Sequence, residues 1–238
     1  PLARRNVAEA PAQSIAAAAA VLASAKKPLI MGGYGAYKAG ARDALIALAE
    51  KTGALLATSA KGKDLFKGHP YNLGIIGSFS HSLARRMASE ADCVLSFGAG
   101  LNILTMSFGH SLPAVPLVHV DTVRANIGRW TPADVAVVGD ARLVAEQSVA
   151  AVADRGAADK PFHAADNRAV LDAFDIAEDF QPANTARTVD PRSLAVALNR
   201  LLPAERNMTY DAGNFLGVVP FLDVPTPGHF KMTNDFAS

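Results

Sequence analysis

The sequence predicts an α/β protein with a parallel β-sheet covered by helices on both faces. Short apolar runs alternate with alanine-rich helical stretches from residue 13 to about residue 154. Strands separated by helices are typical of parallel sheets, because each crossover places a helix on a sheet face. Several of the apolar runs end in Gly or Asp, as strands do when they lead into a ligand-binding edge.

The predicted elements follow one another along this region. An alanine-rich helix comes first, at 16–25, and is expected to pack on the sheet. Gly53 is expected to end the next helix, because glycine adopts the left-handed conformation that terminates helices. The predicted strands are 28–33, 54–59, 92–100, 115–121 and 134–140, and the remaining predicted helices are 41–53, 82–91 and 141–155.

A change in composition divides the chain into three parts. Residues 1–155 form the predicted central domain, and the polar segment 156–187 is predicted to be a linker with one short helix. In 188–238, Asp190 and Pro191 predict a helix start, followed by a strand at NMTYDAG and the start of another in HFKMTNDFAS. These elements are too few to bury a core, so we expect either an incomplete second α/β unit or a tail docked on the first domain.

Composition narrows the possible functions. Half of the residues are hydrophobic, 19% are charged and the formal net charge is +1, which is typical of a soluble globular protein. The small net charge gives no reason to expect nucleic-acid binding, and the apolar run at 16–25 is too short to cross a membrane. The single cysteine, Cys93, excludes a disulfide within the chain and predicts a cytoplasmic setting.

The glycine-rich stretch GGYGA begins at the end of the first predicted strand. Gly32, Gly33 and Gly35 would let backbone N–H groups approach a phosphate or the diphosphate of a flavin nucleotide. A tight strand-to-helix turn explains the same glycines equally well. The spacing departs from the GxGxxG fingerprint, so both alternatives remain open.

Two acids follow later strands. Asp121 and Asp140 are placed to accept hydrogen bonds from ribose hydroxyls, although helix capping is the commoner use of Asp at such positions. Together with the strand-end glycines they predict a crevice along one edge of the sheet. The basic loop 61–70 either contacts an anionic ligand or is an ordinary surface loop.

Other kinds of site are disfavoured. The six histidines have no metal-ligand spacing, and no GxSxG, P-loop or HExxH motif occurs.

With these motifs in order, the chain resembles the thiamine-diphosphate-dependent enzymes of the acetolactate synthase and 2-oxo acid decarboxylase type. KPLIMGGYGA, TSAKGKDLFKGHPYNLGIIG, ADCVLSFGAGLN, VHVDTVRANIG and VVGDA resemble the family's Rossmann-like central domain. Residues 188–238 resemble the start of its diphosphate-binding domain. The resemblance implies that the loop formed by Asp211, Gly213, Asn214 and Phe215 helps to hold thiamine diphosphate.

The resemblance also implies an activity and its requirements. A thiamine-diphosphate- and Mg²⁺-dependent enzyme would form or cleave a carbon–carbon bond next to the carbonyl of a 2-oxo acid, as a homodimer or homotetramer. The chain lacks an initiator Met and the family's remaining cofactor motifs. We therefore expect a fragment that is inactive by itself.

The central domain of such enzymes binds FAD, ADP or nothing. The implied crevice residues here are Gly32, Gly33, Gly35, Gly77, Gly98, Asp121, Ile127 and Asp140. Asn102 stands where flavin-binding synthases carry an Arg-rich segment, which argues against FAD and for an empty crevice. The alternative function is a stand-alone FAD- or ADP-binding or scaffolding module without catalysis.

Overall fold

The computed structural model describes residues 8–156, 159–211 and 213–232, except for the side chains of Asn214 and Phe215. Its main sheet has six strands in the order β3-β2-β1-β4-β5-β6, and every neighbouring pair is parallel. The predicted α/β fold with a parallel sheet is therefore confirmed. The strands are β1 (Pro28–Gly32), β2 (Leu55–Thr58), β3 (Asn72–Ile75), β4 (Cys93–Phe97), β5 (Leu117–Asp121) and β6 (Val135–Val138).

Helices cover one face of the sheet almost completely. Leu22 and Leu45, from two of these helices, are at most 1% exposed, and each such leucine contributes about 2 kcal/mol by burial. The second helix of the chain, which covers 34–39, was not predicted as a separate element. The helices of the first domain are α1 (Ala12–Ser24), α2 (Tyr34–Ala39), α3 (Arg42–Thr52), α4 (Ser82–Ser89) and α5 (Ala141–Ala151).

The opposite face is covered less evenly. Helix α4 and the buried ring of Phe162 cover its middle. The connections from β4 to β5 and from β5 to β6 carry only short 3-10 turns, Ser107–Gly109 and Arg124–Asn126. Ala136 and Val138 of β6 consequently remain half-exposed. Loops rather than helices cover this part of the sheet.

The predicted linker is docked on the first domain. It contains the helix α6 (Ala165–Ala173). Phe162 is fully buried, and the His163 ring stacks on Tyr71 with 3.8 Å between ring centroids. His163 Nε2 also donates to the carbonyl oxygen of Ala54 at 2.9 Å.

The second unit consists of α7 (Pro191–Leu201), β7 (Met208–Tyr210), a 3-10 segment (Asn214–Phe221) and β8 (Phe230–Met232). Its two strands form a small parallel sheet of their own. Val219, Val224 and Phe230 form the centre of its core, which also includes Ile75 of β3. The unit therefore completes its core partly against the first domain.

The basic loop 61–70 joins the two units. Asp64 Oδ2 accepts a hydrogen bond from the backbone N–H of Val224 at 2.8 Å. It also lies 3.3 Å from the Nζ atom of Lys63, whose side chain is only 3% exposed. Lys67 forms an ion pair with Asp223 at 3.3 Å. This loop is thus neither a plain surface loop nor, at these side chains, a free anion site.

The segment that enters the first domain is hydrogen-bonded to the start and middle of its last helix, α5. The backbone N–H of Asp140 donates to the carbonyl oxygen of Ala8 at 2.8 Å. The side-chain amide of Gln147, in α5, exchanges two hydrogen bonds with the backbone of Ala10, each of 3.1 Å. Among the described residues, no helix combines the length and apolar character needed to cross a bilayer.

Four histidines should make the stability of the fold pH-dependent. Burial is the largest cause of a lowered pKa at His69, His81, His119 and His163. The folded pKa lies below the unfolded value, so below about pH 6.5 the unfolded chain binds more protons than the folded one. We expect the free energy of unfolding to fall as the pH is lowered from 7.5 to 5.5, as measured by urea denaturation.

A His163→Phe variant serves as the control for this pH dependence. Phenylalanine keeps the stacking on Tyr71 but cannot titrate, so the decrease in stability on acidification should be smaller than in the original chain. The same stability at pH 7.5 and 5.5 in the original chain would contradict the prediction.

Candidate functional site

The candidate site lies at the carboxyl edge of the sheet, where the strand order reverses between β1 and β4. In open α/β sheets the chain leaves two such neighbouring strands in opposite directions, and the crevice between their loops is the usual ligand site. Gly33 follows β1 and Gly98 follows β4, so both lie at this point.

The glycines after β1 pack directly on the loop after β4. The N–H of Gly33 donates to the carbonyl oxygen of Phe97 at 2.9 Å, and that of Gly35 donates to Gly98 at 3.0 Å. A Cβ atom on Gly33 would lie 2.2 Å from the carbonyl oxygen of Gly98. These glycines allow two backbone segments to approach closely, and these two N–H groups already have partners.

A small cleft beside this contact brings four predicted residues together. Its volume is about 170 Å³, and we call it the Asp121 cleft. Gly35, Gly98, Asp121 and Asp140 line it together with Lys38. The crevice predicted from the strand ends therefore gathers only part of the predicted set.

The other predicted crevice residues do not line this cleft. Gly32 packs under Leu65 and Phe66, and Gly77, at φ +122°, lies against the carbonyl oxygens of the 104–105 turn. Ile127 is 6% exposed. Their positions are those of packing residues.

Both acids make structural hydrogen bonds. Asp121 Oδ1 accepts from the N–H of Val123 at 2.8 Å and from Asn126 Nδ2 at 3.1 Å. Asp140 is 1% exposed and caps α5, accepting from the N–H of Arg142 at 3.0 Å. Asp121 remains half-exposed at the cleft, whereas Asp140 has the capping role that its position in the sequence also allowed.

Sequence reasoning missed the residues around Tyr34. The Nζ atoms of Lys38 and Lys231 lie 5.4 Å and 5.8 Å from the centroid of the Tyr34 ring. Tyr34 lines a second cleft of about 220 Å³, together with Lys61 and Met232. No pattern in the sequence indicated this grouping, because Lys231 and Met232 come from the second unit.

The predicted cofactor loop follows β7. Asp211 comes directly after the strand and is half-buried. Gly213 is exposed and has φ 143° and ψ −173°, a conformation that is essentially restricted to glycine. The 3-10 segment begins at Asn214. The predicted contributions of the Asn214 and Phe215 side chains lie outside the described residues.

These geometries differ in how well they fit a cofactor. The Asp121 cleft is well below the roughly 300–1,000 Å³ of ordinary ligand sites, and the Gly33 and Gly35 donors are already used. The crevice therefore does not fit a flavin dinucleotide. Gly213 is exposed in the turn after β7, so its backbone is accessible to an anion such as a diphosphate. The described residues contain no cluster of His, Cys, Asp or Glu suited to a metal ion.

The parallel strand order and the glycine-packed reversal point define a Rossmann-like α/β domain. Residues 15–148 match the family model of the thiamine pyrophosphate enzyme central domain. The chain belongs to this family.

Two curated relatives show the extent of the similarity. The chain is 31% identical over 137 residues to a probable acetolactate synthase large subunit of Methanocaldococcus jannaschii. This alignment covers 57% of this chain and 23% of that protein. It is also 30% identical over 224 residues to a sulfoacetaldehyde acetyltransferase of Rhodobacter capsulatus, and this second alignment covers 85% of this chain and 38% of that protein. The chain thus spans about a quarter to two-fifths of the length of these relatives.

A solved structure shares the fold over most of the chain. The crystal structure of benzoylformate decarboxylase from Polynucleobacter necessarius aligns with a TM-score of 0.66 and 16% identity. The alignment covers 94% of this chain and 40% of the decarboxylase. The second unit is therefore part of the shared fold.

Proposed function

We propose that the chain works as part of a longer thiamine-diphosphate- and Mg²⁺-dependent enzyme. This enzyme forms or cleaves a carbon–carbon bond next to the carbonyl of a 2-oxo acid, in the manner of acetolactate synthase, and acts as a homo-oligomer. The chain by itself has no such activity. Support comes from two relatives much longer than this chain, a probable acetolactate synthase large subunit and a sulfoacetaldehyde acetyltransferase.

The observation that carries the proposal is the turn after β7. It combines an acid, a glycine in a glycine-only conformation and an exposed backbone, and it belongs to a unit docked on the central domain. Thiamine diphosphate supplies the nucleophilic carbon and electron sink for such reactions. The N–H groups of Gly213 and Asn214 would donate to its diphosphate, and Asp211 would orient the loop, because a carboxylate repels phosphate.

A single substitution tests this assignment in the longer protein that contains the chain. Gly213→Val would force the turn out of its conformation, so we expect the thiamine diphosphate concentration for half-saturation to rise at least about tenfold. Cofactor binding is measured directly by calorimetry at saturating Mg²⁺, and also through turnover of a 2-oxo acid.

Gly217→Ala is the matched control. Gly217 lies in the following 3-10 segment and an added Cβ would meet nothing within 4 Å, so the requirement for cofactor should not change. Unchanged cofactor affinity in Gly213→Val would remove the loop from the cofactor site. Tight binding of FAD or ADP by the chain alone would favour the alternative, a nucleotide-binding module.

A further inference from the structure

A large cavity lies on the less evenly covered face of the sheet, separate from the Asp121 cleft. Its volume is about 920 Å³. Side chains from the loop after β4 and from the loop before β6 form its walls. We call it the Trp130 cavity, and its principal lining residues are Leu101, Met106, Phe108, Leu112, Trp130 and Asp134.

Three exposed large apolar side chains border this cavity. Ile103, Phe108 and Trp130 are 52%, 69% and 57% exposed. Large apolar groups in contact with water are costly when they gather in a concave wall, and such patches mark interaction sites.

The backbone of one wall is held in an unusual conformation. In the described part of the chain, three of the four non-glycine residues with positive φ belong to this loop: Leu101, Ser107 and Phe108, at 44°, 46° and 57°. A bulky residue rarely adopts this conformation, because its Cβ approaches the backbone. The Phe108 ring lines the cavity from this loop.

Polar groups in the walls are mostly used within the protein. Thr131 Oγ1 donates to the carbonyl oxygen of Leu101 at 2.9 Å. Asn102 Oδ1 accepts from two N–H groups of its own turn. Asp134 Oδ2 accepts from the N–H of Leu117 at 2.8 Å. Asp134 is exposed, and among the described residues its Oδ1 accepts no hydrogen bond, so one solvent-accessible acceptor lies beside the apolar groups of the lining.

We propose that the Trp130 cavity binds an apolar small molecule with aromatic character that carries one hydrogen-bond donor. The apolar walls would contact the body of the ligand, and the free oxygen of Asp134 would accept its donor. The volume falls within the roughly 300–1,000 Å³ of small-molecule sites. A concave site of this size suits a small molecule better than the broad, flatter surface of a second copy.

The sequence provides an internal reporter for this site, because Trp130 is its only tryptophan. We would titrate the chain with N-phenyl-1-naphthylamine, a neutral apolar fluorophore with a single N–H donor that absorbs where tryptophan emits. We expect saturable binding of one molecule per chain, with loss of Trp130 emission and matching energy transfer to the probe.

Three variants locate the bound probe. Ala114→Arg places a long charged side chain on an exposed part of the lining and should weaken binding at least about tenfold. Ala197→Arg makes the same change on the exposed side of α7 and should leave binding unchanged. Asp134→Asn keeps an oxygen for Leu117 but replaces the free acceptor with an amide donor, so binding should weaken about fivefold.

Circular dichroism and thermal denaturation confirm that each variant is folded before its affinity is compared. Equal probe affinity in the chain and in folded Ala114→Arg would overturn the proposal, as would probe binding without transfer from Trp130. Analytical ultracentrifugation provides a further check. If Trp130 becomes shielded by concentration-dependent dimerisation that the probe does not reverse, the cavity is an interface and the proposal fails.

Discussion

Replacing Gly33 with Ala should lower the free energy of unfolding by about 3 kcal/mol or more, or prevent folding altogether. The new Cβ would lie 2.2 Å from the carbonyl oxygen of Gly98 and 2.5 Å from the Cα of Ala99. Both are backbone atoms of the loop after β4, so no side-chain rotation relieves the clash. Relief requires the loops after β1 and β4 to separate, which breaks the Gly33–Phe97 hydrogen bond.

The effect at Gly33 is purely steric. Its φ of −100° is allowed to alanine, so no cost arises from the local conformation. Two other glycines separate the possible causes. Gly100→Ala meets nothing within 4 Å and should be nearly neutral, whereas Gly40→Ala, at φ +66° in open space, should cost about 1 kcal/mol.

Urea denaturation followed by circular dichroism measures all three variants. If Gly33→Ala unfolds within about 1 kcal/mol of Gly100→Ala, the loops after β1 and β4 are not locked together. The reversal point would then be free to open for a ligand.

Asp64→Asn is expected to have the second-largest effect, a loss of about 3 kcal/mol. Asparagine tolerates the φ of +63° at this position and keeps an acceptor for the N–H of Val224. The substitution removes the carboxylate nearest to Lys63, whose side chain is 3% exposed. The Asp223 carboxylate also interacts electrostatically with Lys63, but it is 48% exposed and already paired with Lys67. It compensates poorly for the lost partner, so the second unit should loosen from the first domain.

The neighbouring ion pair is the control. Lys67 and Asp223 are 46% and 48% exposed, so Lys67→Ala should cost less than about 1 kcal/mol. The double variant Lys63→Met with Asp64→Asn should recover much of the lost stability, because it removes the stranded charge. Limited proteolysis within 176–210 reports undocking, and Asp64→Asn chains as resistant as the original would refute this role.

Secondary structure was easiest to predict from the sequence where an apolar run becomes a fully buried strand. Every residue of β1 and β4 is buried, and their uninterrupted apolar runs predicted both strands. β3 escaped prediction because it is a short edge strand. Asn72 and Gly74 are half-exposed, and its register with β2 shifts between Leu56 and Thr58.

The candidate site was less predictable, because its defining contacts join distant residues. A glycine at the end of a strand has the same sequence pattern whether it faces a ligand or, like Gly33, another backbone segment. Asp140 is similar, since capping and ribose binding place an acid at the same position. The charges of Lys63 and Asp64 were visible in the basic loop, but Val224, whose N–H donates to Asp64, lies 160 residues further along the chain.

The contact between the entry segment and the last helix of the first domain has a consequence for folding. The backbone of Ala8 and Ala10 is hydrogen-bonded to Asp140 and Gln147, and Ala10 and Gln147 are 137 residues apart in the chain. Closing so long a loop costs conformational entropy before the hydrogen bonds can form. We therefore expect this contact to form late in folding, after the sheet has brought α5 into place.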